Sequence, residues 1–481
     1  MRALFYALVG AAAASPPRGV PRDALRPDVH ASVRARHARV MAAWPFPRRD
    51  AAAPAISPVD FGADPTGVAD SSAAFSRAMG ALLNRTRGKM SAGIADLGGA
   101  VLDLGGGTYS LSAPLVVPQF FGNMRIIDGT LRARAGFPAD AFVLQIGASP
   151  CSAGQQASCN ENIGFSGLTI DGSHIAAGAL AINSTMGATL DASSAVFGFE
   201  RCGIAIYGGH ETMITETWVA AYYWDNPLKA RNQATGICID GNDHYVTNVI
   251  VYSALVGIAV NGAANLFQGV HVWNTMTSMG GVGILNNATS SRFEGCYFDY
   301  TDLRLVVAES LSITSSFFLG NAQLEFRAPR AASAVRGVYV AGSVYSMTTL
   351  PPIKVNETEG AWTNVTDLVV EGTVWGARPT AQPRAGVSRA SKTWAGACNN
   401  ASIVIDFSDV LVFPSTTVAT RTLSGLACRA QAPQCGVRLA VEQPDPRAVA
   451  VLCMWEGPDV QFTATIDQSA DSAVGVARAE W

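Results

Sequence analysis

Charge is scarce in this chain. Only 15% of its 481 residues are Asp, Glu, Lys or Arg, and the formal net charge is -3, so no global positive field gathers nucleic acid or an anionic membrane. An acidic ligand must therefore be gripped by local Lys and Arg. Beyond the first residues no apolar run approaches the ~20 needed to span a bilayer, so no membrane partner is expected. No Cys-x-x-Cys pair and no His/Cys cluster is present, so no zinc site is expected. Between Ile163 and Phe326 no helical period appears, which argues against a sheet with crossover helices. What the chain does have is apolar surface: 49% of residues are hydrophobic, enough for one large domain plus a small one.

The chain opens Met1-Arg2, continues through the apolar Ala3 to Val9, and reaches small residues at Ala11 to Ser15 before Pro16-Pro17. That order is the pattern of a secretory signal, taken as residues 1–15, so the protein is expected outside the cell. Residues 16–55, rich in Arg, Ala and Pro, read as a linker or pro-region. The N-x-S/T triplets at Asn84, Asn183, Asn287, Asn356, Asn364 and Asn400 suit an exported glycoprotein. Of the 9 cysteines, Cys151 and Cys159 flank a short loop and read as one local bridge. Cys398, Cys428, Cys435 and Cys453 read as two bridges of open pairing, and Cys202, Cys238 and Cys296 as small packing residues.

From Glu161 to about Ala328 short runs of alternating apolar residues recur in pairs, roughly one pair per 20 to 30 residues. Examples are Leu168-Thr-Ile-Asp171 with Leu180-Ala-Ile-Asn183, Val249-Ile-Val-Tyr252 with Ile258-Ala-Val-Asn261, and Cys296-Tyr-Phe-Asp299 with Leu303-Arg-Leu-Val306. Strands this short cannot bury their apolar side alone, whereas stacked coils pair every backbone group and build a continuous core. The handedness of parallel connections makes the stack right-handed. The expected fold is all-β: a right-handed parallel β-helix over residues 56–385, about seven coils of it between Glu161 and Ala328. Ile170, Val251, Val272 and Phe298 should share one interior column. A helix from Ser71, N-capped by Asp70 and turning Phe75, Ala78, Met79 and Leu82 to one side, should cap the N-terminal end. Residues 393–481 should form a small β-rich, disulfide-bonded piece. A monomer is expected.

The entry segment Val59-Asp-Phe-Gly-Ala-Asp-Pro-Thr-Gly-Val-Ala-Asp70 resembles that of the pectate-lyase-like superfamily of polysaccharide enzymes and phage tail spikes. Ile127-Asp-Gly-Thr-Leu-Arg-Ala133, Phe137-Pro-Ala-Asp140, Tyr207-Gly-Gly-His-Glu-Thr212, Gly241-Asn-Asp243, Ala264-Asn-Leu266 and Phe298-Asp-Tyr-Thr301 are similar to the plant QUARTET-type polygalacturonases. That resemblance implies hydrolysis of α-1,4-galacturonan or a related acidic wall polymer without a cofactor. One departure matters. The Asn-Thr-Asp, Asp-Asp, Gly-His-Gly and Arg-Ile-Lys motifs of ordinary family-28 polygalacturonases are missing here, and before Gly203, Gly236 and Gly257 stand Arg-Cys, Ala-Thr and Leu-Val. The catalytic set must be sought among this chain's own residues.

Glycoside hydrolysis usually takes two carboxyl groups, one giving a proton to the leaving oxygen and one activating water or attacking the sugar. Aligning the second strand of each coil puts Asn183, Tyr207, Asp240 and Asn261 in one column and Met186, His210, Asp243 and Ala264 in another. Asp240 and Asp243 are the first carboxylate pair to consider, with His210 orienting or acidifying a carboxyl; corner Asn and Asp also serve the turn backbone. The first strands supply an outward row of Trp218, Ile250, Tyr252, His271, Trp273, Tyr297 and Asp299. Of these Trp218, Tyr252, His271 and Trp273 suit a sugar face, and Asp299 with Asp302 forms the second pair. An insert of about ten residues between Glu211 and Asp243 carries Lys229 and Arg231, which could pair with uronate carboxylates. Two other readings stay open: a polysaccharide lyase on the same scaffold, and a wall-binding protein without catalysis.

Overall fold

A strand of three to five residues turns only one or two apolar side chains inward, so its stability must come from the strands stacked above and below it. The computed structural model describes residues 55–90, 93–151, 158–222, 233–273, 281–376, 388–399, 402–408, 410–413, 420–428, 437–439, 448–453 and 456–467. It is a right-handed parallel β-helix with three faces. Face A runs through Thr189–Asp191, Met213–Thr215, Tyr245–Thr247, Leu266–Gln268 and Arg292–Glu294; face B through Ala195–Phe197, Trp218–Ala220, Ile250–Tyr252, His271–Trp273, Tyr297–Asp299, Phe317–Leu319 and Val344–Ser346. Face C is a 10-stranded sheet that includes Cys202–Tyr207, Thr235–Ile239, Val256–Val260, Val282–Asn286, Leu303–Leu305, Leu324–Arg327 and Ile353–Asn356. Between Glu161 and Ala328 the coils begin at Asn160, Thr189, Met213, Tyr245, Leu266, Arg292 and Ala308, the expected seven.

The paired runs seen in the sequence are faces B and C. Face A is the correction: each coil holds three strands rather than two. The corner that joins A to B is made by one residue with a left-handed backbone, Glu216, Asn248, Gly269, Gly295 or Ser315, with φ from 49 to 61°. The following residue, Thr217, Val249, Val270, Cys296 or Ser316, turns inward and is buried. A glycine adopts that backbone at no steric cost, and Asn tolerates it better than most side chains, which is why these positions look like ordinary turns in the sequence.

The interior column on face B is in the expected register. Ile170 pairs with Val196, then Val219, Val251, Val272, Phe298 and Phe318 follow in unbroken succession. All are at most 1% exposed, and each contributes roughly 1.5–3 kcal/mol of burial. Phe298, Phe318 and Tyr345 stack ring on ring at 4.6 and 4.5 Å.

Helix α1, Ser72–Leu83, buries Ala74, Phe75, Ala78, Met79 and Leu82 against the N-terminal coils, with Phe75 edge-on to Tyr109 at 5.1 Å. Its N-cap is Ser71 rather than Asp70; the Asp70 carboxylate still accepts from Ser72 N–H, and also from Ser112 Oγ, which ties the helix start to the first coil. Asp64 of the entry segment accepts from the N–H groups of Thr66, Val68 and Ala69, which hold its carboxyl down at about 2. That aspartate shapes a turn. Beyond the helix, Arg389–Asn399, Glu456–Asp467 and Thr420–Cys428 form one antiparallel sheet, and Ser402–Asp406, Ala448–Cys453 and Val437–Leu439 another. Phe413 packs against Phe326 and Trp362 at the C-terminal end of the core.

Cys151 and Cys159 are bridged as expected, and Cys296 packs as a buried thiol whose titration burial pushes up to about 12. Cys202 and Cys238 are not packing residues but a second bridge. Face C sets Ala205 opposite Cys238 and Cys202 opposite Thr235, so the two cysteines are diagonal neighbours on adjacent coils, with Cα atoms 6.4 Å apart. The side chains of Cys398, Cys428, Cys435 and Cys453 lie outside the described residues.

Candidate active site

Two corners of the helix gather candidate residues, and they are different corners. Where face C turns into face A, Asp240 follows the strand Thr235–Ile239 in register with Tyr207 and Asn261, as expected from the column. Asp240 is exposed, and its carboxylate accepts from Asn261 Nδ2 at 2.7 Å; Asn261 Oδ1 in turn accepts from Asn287 Nδ2 at 2.9 Å. Asp243 sits at φ 62° in the same turn, accepts from Asn242 Nδ2 at 2.7 Å, and lies 3.5 Å from His210 Nδ1. His210 and Asp243 are therefore vertical neighbours, and Met186 pairs with His210 above them. This is a solvated amide and carboxylate ladder along a turn.

Directly inside it lies a histidine that the sequence did not single out. His244 is fully buried; its Nδ1 accepts from Thr212 N–H at 3.1 Å, and its Nε2 finds no hydrogen-bond partner among the described residues. Burial, with help from His210, holds its titration down at about 4. The unfolded chain takes up this proton near 6.5 and the folded chain only near 4, so the stabilisation is complete above about 6.5 and drains away as pH falls toward 4. The difference is worth about 3 kcal/mol. His244→Asn, whose Oδ1 can replace Nδ1 as acceptor, should therefore flatten the wild-type loss of stability between pH 6.5 and 4 by about that amount in denaturant titrations. Parallel wild-type and variant curves would show that this imidazole is not what the acid attacks.

The other corner lies where face B turns into face C. Asp299 ends the strand Tyr297–Asp299 with its side chain 17% exposed, and its Oδ2 stands 3.6 Å from His271 Nε2 on the preceding coil. Register explains the contact: His271 pairs with Tyr297 and Trp273 with Asp299, so His271 and Asp299 meet on the diagonal. The His271 ring stacks on Tyr297 at 4.3 Å. Burial raises the Asp299 carboxyl above its ordinary range while the neighbouring imidazole pulls it partly back; burial also lowers His271. Three residues on, Asp302 opens face C and accepts from Gln323 N–H at 2.9 Å. Burial raises Asp302 as well, opposed by that N–H, helped by the neighbouring Glu325 carboxylate, and opposed again by the cations Arg304 and Lys354. Beside the pair runs an aromatic row: Trp218 is 41% exposed and edge-on to Tyr252 at 5.3 Å, and Tyr252 stacks toward Trp273 at 6.0 Å. Tyr252 is 7% exposed, so it backs the row more than it forms its surface.

Lys229 and Arg231 lie outside the described residues. The described strands on either side of them in the sequence, Trp218–Ala220 and Thr235–Ile239, belong to faces B and C. A cationic cluster does stand on face C. Glu325, fully buried, accepts from Arg304 Nε at 2.6 Å and Asn356 Nδ2 at 2.7 Å and lies 3.2 Å from Lys354. Its signal is the charged middle residue in Leu303-Arg-Leu305, Leu324-Glu-Phe326 and Ile353-Lys-Val355, three strands in register. Among the N-x-S/T asparagines, Asn183 is 5% exposed and donates to the carbonyls of Ile146 and Gly147, which leaves no room for a glycan in the folded chain. Asn84, at the C-cap of α1, is exposed. Among the described residues no three His, Cys, Asp or Glu side chains converge as a metal site.

A family model described as rhamnogalacturonase A/epimerase, pectate lyase-like, matches residues 55–281. Polygalacturonase QRT3 of Arabidopsis thaliana is 32% identical over 366 residues, which cover 74% of this chain and 73% of that protein. Among solved structures, ORF18 of Geobacillus virus E2 superposes with a TM-score of 0.50 at 13% identity over 92% of this chain and 81% of that one. At that identity the likeness is one of fold alone.

Proposed function

The chain belongs to the family of QUARTET-type polygalacturonases within the pectate-lyase-like superfamily, and from that premise we propose that it hydrolyses a pectin-like acidic polysaccharide of the cell wall. The observation that supports this most directly is the corner between faces B and C, where two carboxyls three residues apart are both raised by burial. A carboxyl that keeps its proton in mildly acidic solution can give it to a leaving glycosidic oxygen. Asp299 takes that role in this reading. Asp302, whose rise from burial and from Glu325 is partly offset by the Gln323 N–H and the cations Arg304 and Lys354, is in this reading the base that draws a proton from the attacking water. The row through Trp218, Tyr252 and Trp273 would lie under the sugar rings, and Lys229 and Arg231 remain the cations proposed to meet uronate carboxylates.

This ordering differs from the one the sequence suggests, which places Asp240 and Asp243 first. Asp240 is exposed and hydrogen-bonded into the Asn261 and Asn287 ladder, a setting that serves the turn. The two bridges, Cys151 with Cys159 and Cys202 with Cys238, suit an oxidising compartment, and export by the leading segment would place the protein with its polymer outside the cell.

The full chain incubated with polygalacturonan, esterified pectin and other wall polymers tests the proposal. New reducing ends without ultraviolet absorbance from an unsaturated product are expected. Unsaturated product would make it a lyase, and retention on pectin with no oligosaccharide released would make it a binding protein.

A further inference from the structure

We infer that His271 is a positioning residue, which through its contact with Asp299 sets the pH range over which that carboxyl can act as a proton donor. The inference rests on the reading of Asp299 as the acid and goes beyond it, because it assigns a task to a histidine on a neighbouring coil that is otherwise one member of an aromatic row.

The geometry singles out this pair. His271 Nε2 and Asp299 Oδ1 are both buried and neither has a hydrogen-bond partner among the described residues, while His271 Nε2 and Asp299 Oδ2 stand 3.6 Å apart. A small closure would complete a hydrogen bond, and the distance already suffices for strong mutual electrostatics in a half-buried site. The ring cannot swing away freely, since it lies flat on Tyr297 at 4.3 Å with 10° between the planes and its backbone is fixed between Ile250 and Tyr297 in the ladder.

The other groups around the pair have little leverage. Among the described residues, the coil before, Ile250–Tyr252, offers Tyr252; the coil of Asp299 offers Tyr297, Tyr300 and Asp302; the strand after, Phe317–Leu319, offers no titratable side chain; and of these groups and His271, only the imidazole acts on Asp299 by charge. Burial favours a neutral carboxyl and a neutral imidazole, and each group draws the other toward its charged form. When the Asp299 O–H bond breaks and the leaving oxygen takes the proton, the carboxylate left behind faces an imidazole. That imidazole can accept a proton from solvent, become imidazolium, and return the proton to Asp299 for the next turnover.

His271→Gln removes the group that holds the carboxyl partly down, so the alkaline limb of kcat/KM should move to higher pH by about one unit. A histidine that only fills space would lower activity at every pH and leave the limb where it was; an unmoved limb, or one moved to lower pH, overturns the inference. An arm that needs no turnover separates this from the fate of the hydrolase reading. The His271 imidazole resonances, followed by NMR as pH changes, should titrate at lower pH in Asp299→Asn than in wild type, because the variant loses the charge that favours imidazolium. Unchanged titration overturns the coupling even if the enzyme is active, and the expected change with no activity on any polymer leaves the coupling standing while removing the hydrolase.

Discussion

Asp299→Asn should lower turnover by about 10² to 10⁴ while folding and polymer binding stay nearly intact. The amide has the shape of the acid and keeps an oxygen that His271 can face, but it has no proton to give. Because the proton leaves the carboxyl only as the glycosidic bond breaks, its loss should be felt in kcat rather than KM, as expected of an interaction made in the transition state. Asp240→Asn and Asp243→Asn supply the comparison. Each should stay within a few-fold of wild type, since Asp240 Oδ1 serves as an acceptor for Asn261 and an amide oxygen can serve equally. Reducing-end release at saturating substrate measures all three. If Asp240→Asn is the dead variant and Asp299→Asn turns over normally, the chemistry belongs to the corner of His210 and Asp243.

Val251→Asp should yield no folded protein. Val251 is 1% exposed and sits between Val219 and Val272 in the face B column, surrounded by side chains that offer a carboxylate no partner. An unpaired buried charge costs several kcal/mol or more, which rivals the 5–15 kcal/mol that ordinarily holds a domain together. The damage would spread, because each coil is stabilised chiefly by the coils it touches. Val251→Ala, which removes apolar contact without adding charge, should cost only about 2 kcal/mol and fold. Circular dichroism and resistance to proteolysis distinguish the cases, and a folded, protease-resistant Val251→Asp protein would mean that the column is drawn one residue out of register.

The alternation at Leu168-Thr-Ile, Val249-Ile-Val-Tyr and Val270-His-Val-Trp was legible because period 2 fixes which side chains turn inward, and a single wrong step would put charge in the core. Face A was not. Its strands, such as Leu266–Gln268 and Arg292–Glu294, contribute one inward residue each, Phe267 and Phe293, and one residue has no period. Columns follow from the coil repeat, which alone sets His210 over Asp243. Diagonals do not: the bridge from Cys202 to Cys238 and the contact from His271 to Asp299 depend on how far each coil is offset from the next, and that offset is set by corner lengths and twist. The raised carboxyls of Asp299 and Asp302 were invisible for another reason, since burial is a property of neighbours. His244 looked like one more polar turn residue because nothing in Gly241-Asn-Asp-His244 says which of its side chains points in.

A stack of parallel ladders has no natural length. Each coil leaves a row of N–H and C=O groups ready to accept another, and a bare end of that kind is a template on which a second molecule could continue the pattern into a fibre. Helix α1 covers one end with Phe75, Ala78, Met79 and Leu82, and Val412 and Phe413 join the core at the other, against Phe326 and Trp362. The two plugs thus do more than shield apolar surface. They set where growth stops, and so make a particle of finite size from a pattern that could otherwise elongate by self-templating.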